Sequence, residues 1–480
     1  MKHEFHAQYS LALQPDFAQQ EAVNYLTDAP KQPPKHWDDL GDVTDPAARI
    51  RLLAQAILTP YKDYARVGTH RTQGGLLHAI NLKIPDRFFE QQSEGFLAPL
   101  KLDPTLPDIT LFPRGSWAIS FKFKLQKPYL SKDDTDFYIL DNPVRKEWVF
   151  QVPYIAPSQW KGALRAAMVR QLVEESGSLS DEEFAILRFR LTLLFGDEKG
   201  EEPGVIKDLA KYLDGAKSTE ASHRYRQEVR KHFPTKDDES ESFPHHAGNL
   251  HFYTTYFTKI SMEVINPHDR ETGAGTLPIY FESVPAGADG VFTLLYVPVD
   301  CIGIKDDAET EKQSAEMLCL VAEGVEAMLA EYGFGAKTSS GFGTAGDGVE
   351  DGRVVSNAEW ANDLPEPEVA APEPPDEKYL KYLDDSMVRV DVRGDDGKPM
   401  RIAEYGRRVH EGRNPVDGGS QSEYRKFMRW YVAHGKAWQK NHQRDAAPAE
   451  SPGWGFKSLN GLVKQTQELV KKLKKMEGSD

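Results

Sequence analysis

The feature that most constrains the fold is the alternation of large apolar residues with small or basic residues in Ser116–Leu125, SWAISFKFKL. Every second residue is large and apolar: Trp117, Ile119, Phe121, Phe123 and Leu125. A period of two is typical of a strand that buries one face against a core. The other face carries Lys122 and Lys124, so the pattern leaves two cations on the side that is open to a ligand.

Helical periodicity follows this strand. Apolar residues recur at four-residue spacing in a predicted helix, Ser158–Glu175, which carries Lys161 and Arg165 one turn apart. Ser180 and Glu183 then form a capping box, which predicts the start of a second helix.

The later part of the sequence adds strands and one more long helix. The predicted strands are Leu250–Tyr256, Ile260–Ile265, Pro278–Ser283 and Val291–Pro298, and the helix is Glu311–Tyr332. This order predicts an α+β domain of ferredoxin-like type, with both main helices on one face of an antiparallel sheet. The opposite face would then be available to a ligand.

A proline-rich stretch divides the chain. Residues 364–376, LPEPEVAAPEPPD, contain five prolines and four acids, which excludes a helix or a central strand. We therefore predict four parts: an unassigned N-terminal extension, 1–112; a core, 113–352, with a charged insertion at 197–248; a Pro/Glu-rich linker, 353–377; and a basic, mainly helical C-terminal module, 378–480.

Composition limits the class of protein. With 39% hydrophobic and 28% charged residues, the 480-residue chain can build a sizeable core. It contains no apolar run of membrane-spanning length and no secretory signal pattern, so we expect a cytoplasmic protein. Its two cysteines lack partners at zinc-ligand spacing.

Charge is distributed unevenly along the chain. Residues 401–480 carry a balance of +7 although the whole chain carries −15. The overall balance argues against indiscriminate nucleic-acid binding but is compatible with a local basic groove.

The segment Gly333–Gly343, GFGAKTSSGFG, combines glycines with a lysine and three hydroxyls where a helix ends. Glycines allow close approach of a ligand, and N–H groups, hydroxyls and Lys337 suit phosphate. The spacing excludes a Walker A loop, because no Gly-Lys-Thr sequence is present. A helix C-cap with turn glycines is the alternative.

Several of these segments resemble the CRISPR RAMP superfamily. Pro153–Ala167, PYIAPSQWKGALRAA, resembles its PYIPGSSLKGALR signature, and Gly333–Gly343 resembles its terminal glycine-rich loop. Three segments between them resemble, in the same order, those of the sixth RAMP subunit of type III-B (Cmr) effector complexes: LFG at 194–196, EVINPH at 263–268 and PIYFESVP at 278–285.

The resemblance implies a subunit that binds crRNA and its paired target RNA in antiviral defence. Its partners would be other RAMP subunits and a large polymerase-like subunit of a type III complex. The resemblance implies RNA contact by Lys161, Arg165, Gly335, Lys337, Gly341 and Gly343. The hydroxyls of Thr338 and Ser339 and the strand residues Lys122 and Lys124 are further candidates for RNA contact.

Asp141 raises the question of catalysis. In RAMP subunits that cut target RNA, a loop Asp precedes a Pro-Val or Pro-Ile pair, and Asp141-Asn142-Pro143-Val144 resembles that pattern. A carboxylate there would hold Mg or Mn beside the scissile phosphate. The alternative is an Asx-Pro turn, and the sixth Cmr subunit is not the slicing subunit. We therefore expect a binding subunit without a cofactor, with a metal-dependent endoribonuclease as the alternative.

The C-terminal sequence has two interpretations. Ser422–Trp438 interleaves basic and aromatic residues, which suits base stacking with phosphate neutralisation. The same pattern also suits a helical module that docks onto another subunit. A purely structural assembly subunit without RNA chemistry is therefore a further alternative for the whole chain.

Overall fold

The computed structural model describes residues 5–28, 32–69, 74–131, 137–198, 200–202, 205–233, 246–267, 271–273, 275, 277–362, 374–384, 387–394, 399–400, 402–412, 415–416, 419–435, 438 and 452–477. The chain divides into two compact units: the first comprises residues 1–365 and 452–480, and the second comprises residues 366–451. Each unit has its own buried apolar core. Within the described ranges, no helix has the length and apolar character needed to cross a membrane.

The described chain contains both helices and strands. The helices are α1 (Phe5–Gln8), α2 (Asp16–Thr27), α3 (Pro46–Leu52), α4 (Lys62–Val67), α5 (Gly75–Asn81), α6 (Ile84–Gln92), α7 (Pro157–Glu174), α8 (Asp181–Phe195), α9 (Asp208–Ala216), α10 (Thr219–His232), α11 (Asp307–Glu326), α12 (Glu377–Leu380), α13 (Ile402–His410), α14 (Gln421–Trp430) and α15 (Leu459–Glu477). The strands are β1 (Trp117–Lys124), β2 (Tyr154–Ile155), β3 (Glu201–Glu202), β4 (Val205–Ile206), β5 (Leu250–Phe252), β6 (Thr255–Tyr256), β7 (Ser261–Ile265), β8 (Ile279–Ser283), β9 (Asp289–Tyr296), β10 (Gly348–Ser356), β11 (Leu383–Asp384), β12 (Met387–Val388) and β13 (Gly453–Ser458).

A five-stranded antiparallel sheet organises the first unit. Its strand order is β13-β10-β1-β9-β5. The alternating segment is the central strand, and Trp117 lies opposite Tyr296 of β9 and Ser356 of β10. The predicted α+β class with an antiparallel sheet is therefore confirmed. Two predicted strands lie elsewhere, because β7 and β8 pair with each other in a separate hairpin.

Both long core helices pack on the same face of this sheet. Trp117 donates its indole N–H to the carbonyl oxygen of Ser314 on α11 at 3.2 Å. Phe123, on the same face of β1, meets the ring of Trp160 on α7 edge-on, with centroids 6.0 Å apart. A Cβ at Gly324 of α11 would lie 2.4 Å from Met168 of α7, so this glycine lets the two helices approach closely.

The first 112 residues, predicted as an unassigned extension, contribute helices α1–α6 to the first unit. Several polar contacts join them to the rest of that unit, among them two hydrogen bonds to backbone groups. Arg66 donates its Nε–H to the carbonyl oxygen of Ile139 at 2.8 Å, and Asp86 accepts the backbone N–H of Ile260 at 3.1 Å. Their apolar side chains join the same buried cluster as those of the sheet.

The predicted C-terminal boundaries differ from the structure. β10 runs to Ser356, and Trp360 is buried beside Trp454, so the chain up to Asn362 is not linker. Residues 452–480, predicted as part of a basic module, belong to the first unit. β13 completes the sheet beside β10, and α15 packs on α11 because its apolar face needs a partner.

Part of the charged insertion 197–248 folds onto α8. Its helices α9 and α10 surround Arg188, a fully buried residue of α8. The Arg188 guanidinium donates to Glu198 at 2.7 and 2.8 Å and to Asp214 at 2.8 Å, and it lies 4.1 Å from the ring centroid of Tyr225. These contacts satisfy a buried charge that would otherwise be costly.

The second unit has a core made largely of aromatic rings. Tyr405 and Tyr424 stack with centroids 3.9 Å apart, and seven aromatic residues are buried among the described ones: Tyr382, Tyr405, Tyr424, Phe427, Trp430, Tyr431 and Trp438. The aromatic residues of Ser422–Trp438 that the stacking interpretation assigned to RNA are therefore largely core residues. The basic residues of α14 occupy its other side, as in an ordinary amphipathic helix.

Candidate nucleic-acid interface

Two glycines of the segment Gly333–Gly343 are required by close backbone packing. Gly335 and Gly343 have positive φ, 90° and 69°. A Cβ at Gly335 would lie 2.5 Å from the carbonyl oxygen of Leu130, and one at Gly343 would lie 1.9 Å from that of Phe334. These two glycines are therefore needed for the loop to pack in this conformation.

Phe334 anchors this loop against α7. Its buried ring lies 4.7 Å from that of Trp160 and 5.7 Å from that of Tyr129, measured between centroids. The backbone N–H of Ala336 donates to the carbonyl oxygen of Leu130 at 2.8 Å. The loop is therefore fixed beside the first turn of α7, which bears the signature lysine.

The tip of the loop is open to solvent. Lys337 has a left-handed backbone with φ 58°, and a short 3-10 turn begins at Thr338. Lys337, Ser339 and Gly341 are exposed, and a Cβ at Gly341 would meet nothing within 4 Å. Within the described part of the chain, the N–H groups of Thr338 and Ser339 have no hydrogen-bond acceptor. The tip thus presents donors and a cation.

Lys161 and Arg165 form a second cationic position one turn apart on α7. Both are half-buried, and burial together with the charge of Arg165 lowers the pKa of Lys161. Burial and the charge of Lys161 also lower the pKa of His251 on β5. Neither cation forms an ion pair with any carboxylate of the described residues. Their positive charge is therefore not neutralised locally.

Lys122 and Lys124 have a different environment on the opposite face of the sheet. The Lys122 Nζ lies 3.0 Å from Glu350 and 3.6 Å from Asp289, and the Lys124 Nζ lies 3.9 Å from Asp289. Burial would lower the pKa of Lys122, but these two carboxylates outweigh it and raise the pKa. The charges of the two lysines and the two carboxylates cancel, so this face of the sheet attracts phosphate only weakly.

Asp141 is an ion-pair partner of the N-terminal helices. Its two carboxylate oxygens each lie 3.1 Å from a terminal nitrogen of Arg66, a buried residue of α4. Among the described residues, no group of three or more His, Cys, Asp or Glu side chains could hold a metal ion. In the described part of the chain the Asp141 carboxylate is engaged by Arg66, and we derive no metal-dependent step.

Residues 136–345 match the family model of the RAMP superfamily. The chain carries a RAMP superfamily domain. This RAMP domain contains α7, the hairpin of β7 and β8, α11 and the glycine-rich loop. No curated protein matches the chain.

Two solved structures resemble the chain at low identity. One is a chain of the Type III-B Cmr-beta structure bound to cognate target RNA, with 13% identity, 65% of this chain and 92% of that chain covered, and a TM-score of 0.32. The other is Cmr6 from Pyrococcus furiosus, with 19% identity, 48% of this chain and 97% of that chain covered, and a TM-score of 0.23.

Glu282 is a residue of the RAMP domain that the sequence did not single out. Its fully buried carboxylate accepts the Tyr138 hydroxyl at 2.7 Å and the Val144 N–H at 3.1 Å, and it pairs with the Lys146 ammonium. Burial and the Glu282 charge raise the pKa of Tyr138 well above its ordinary value. Glu282 thereby fastens the loop that follows Asp141 onto β8. The sequence signal that could have identified Glu282 is its position in PIYFESVP, one of the segments that resemble the RAMP superfamily.

Other aromatic, acidic and histidine residues near this surface belong to the core or lie outside the described ranges. Phe257 is buried with Tyr129, their centroids 5.9 Å apart, so its ring is part of the core. The loop acids Asp133, Asp134 and Asp136 and the histidines His245 and His268 lie outside the described residues.

Proposed function

We propose that this protein is an RNA-binding subunit of a type III CRISPR effector complex, contacting crRNA and its paired target RNA. The RAMP match and the ordered signature segments support this assignment. We also propose that the core is ferredoxin-like. Its support is the chain order β1, α7, β5, β9, α11, β10, which follows a β-α-β-β-α-β plan with both helices on one face.

The observation that carries the proposal is a group of cations around one packed aromatic cluster, none of which pairs with a carboxylate of the described residues. Lys161 and Arg165 lie on α7, Lys337 lies at the loop tip, and Trp160 and Phe334 pack these two elements together. Cations without carboxylate partners keep their full attraction for phosphate, and release of counterions favours their binding to RNA. The loop N–H groups add donors suited to phosphate oxygens.

We assign the crRNA path to this loop-and-helix surface, defined by Lys161, Arg165, Lys337, Thr338 and Ser339. Lys122 and Lys124 contribute less, since carboxylates on the neighbouring strands neutralise them. Other RAMP subunits and a large polymerase-like subunit would bind the rest of the RNA in the cytoplasm.

The salt dependence of RNA binding tests this assignment. The variant Lys161→Ala/Arg165→Ala/Lys337→Ala should flatten the slope of log affinity against log salt by about 2, from roughly 0.7 per contact on single-stranded RNA. The matched control, Lys122→Ala/Lys124→Ala, should leave the slope nearly unchanged. A control that flattens the slope as much as the triple variant, or a triple variant with the parental slope, would contradict the assignment.

A further inference from the structure

A separate cavity of about 610 Å³ lies between the N-terminal helices and the RAMP domain. Helices α3 and α6 supply one wall, and residues 137–154 supply the other. The volume falls within the usual range for small-molecule sites, roughly 300–1,000 Å³. Only the second wall belongs to the segment that matches the family, so the N-terminal helices complete a cavity that the RAMP domain alone would lack.

Charge in this cavity has one sign. Its lining includes Arg51, Arg145 and Lys146 and, as far as the structure describes the chain, neither Asp nor Glu. Lys146 is paired with the buried carboxylate of Glu282. Arg51 and Arg145 are exposed and form no ion pair with a described residue. Two guanidinium groups at one cavity, with neither Asp nor Glu in its described lining, suit a phosphate group.

Aromatic rings accompany these cations. Phe88 and Phe89 lie buried in one wall, Phe137 stands half-exposed, and the guanidinium of Arg145 lies 5.6 Å from the ring centroid of Tyr154. Flat apolar rings beside guanidinium groups are the surroundings that a nucleobase and its phosphate require.

Trp148 gives the strongest indication that the cavity has an occupant. Its side chain lines the cavity and yet is 89% exposed. The turn that carries it is held in place, because the Glu147 carboxylate accepts the N–H groups of Val149 at 2.7 Å and Phe150 at 2.6 Å. A large apolar ring kept in solvent by an ordered turn gains free energy when a flat ligand covers it.

We propose that this cavity binds one nucleotide, with the base against Trp148 and the neighbouring rings and the phosphate between Arg51 and Arg145. The nucleotide has two sources with the same chemistry: a free mononucleotide or an unpaired residue of an RNA strand. The site is distinct from the loop-and-helix surface, so it does not depend on the RNA path proposed there.

Calorimetry on the full chain tests the site with defined probes. AMP and UMP should bind, whereas adenosine, uridine and inorganic phosphate should each bind at least about tenfold more weakly, since each lacks one half of the recognised group. Arg51→Ala/Arg145→Ala should weaken mononucleotide binding at least about tenfold, and Trp148→Ala should weaken it about fivefold or more. Arg87→Ala, an exposed arginine of α6 outside the lining, is the matched control and should have no effect.

The outcomes separate the two sources. Binding of mononucleotides supports a free ligand, while binding only of a single-stranded RNA, lost in the Trp148 and double arginine variants, supports a strand residue. Absence of both, or binding that all these variants retain, overturns the proposal. The triple variant Lys161→Ala/Arg165→Ala/Lys337→Ala should keep the cavity's mononucleotide affinity, so failure of the RNA path and failure of this site are distinguishable.

Discussion

Removal of residues 452–480 should unfold the first unit. The deletion takes away the edge strand β13 and the helix α15, with six large buried apolar side chains: Trp454, Phe456, Leu459, Leu462, Val463 and Leu469. Burial of each contributes about 1.5–3 kcal/mol, so the loss is about 9–18 kcal/mol as an upper estimate. A typical domain is stable by only about 5–15 kcal/mol. The deletion therefore removes most or all of the folding free energy.

The matched control removes the second unit instead. Replacing residues 366–451 by a short Gly/Ser linker is geometrically feasible, because the Ser356 N–H donates to the Pro452 carbonyl oxygen at 2.9 Å and Trp360 contacts Trp454. Thermal unfolding followed by circular dichroism should show a cooperative transition for the linker variant near that of the full chain. The variant without residues 452–480 should show none.

The opposite pattern would refute this reasoning. If the chain without residues 452–480 melts cooperatively within a few degrees of the full chain, then the C-terminal segment does not stabilise the sheet. Loss of folding in the linker variant would instead show that the second unit stabilises the first.

Two further predictions concern carboxylates. Burial would raise the pKa of Asp300, but hydrogen bonds from His232, Gln313 and Asn249 outweigh it and lower the pKa below 3.8. The stabilisation that the ionised carboxylate gives is present above pH 4 and is lost as pH falls through the folded pKa. Asp300→Asn should therefore flatten the acid side of a plot of Tm against pH. Parallel acid sides in the two proteins would contradict this. For Asp141→Ala, RNA cleavage by the assembled complex in Mg or Mn should be unchanged, and loss of one cut with RNA affinity retained would establish catalysis.

Local patterns predicted the central elements well. The alternation around Trp117 and the four-residue spacing around Trp160 predicted β1 and α7, because contiguous periodicity reports directly which face is buried. The glycine-rich loop was also predicted where a helix ends, and Gly335 and Gly343 are needed for its packing.

Contacts between residues distant in sequence could not be predicted from local sequence patterns. β13 pairs with β10 after about a hundred intervening residues, and its sequence GWGFKS is short and rich in glycine. The residues that neutralise Lys122 and Asp141 lie on β10 and α4, respectively. Because they are distant in sequence, no local spacing pattern near Lys122 or Asp141 could predict them. The aromatic residues near Trp430 satisfied two patterns at once, since an amphipathic helix also interleaves aromatic and basic residues.

Site-specific crosslinking tests most directly which surface meets RNA. A benzophenone side chain in place of Ser339, exposed at the loop tip, should crosslink to crRNA on irradiation of the bound complex. The same group in place of Glu350, exposed on β10 beside the neutralised Lys122, should not. We predict crRNA recovered with the first protein only; crosslinking at position 350 without crosslinking at position 339 would contradict the proposed RNA path.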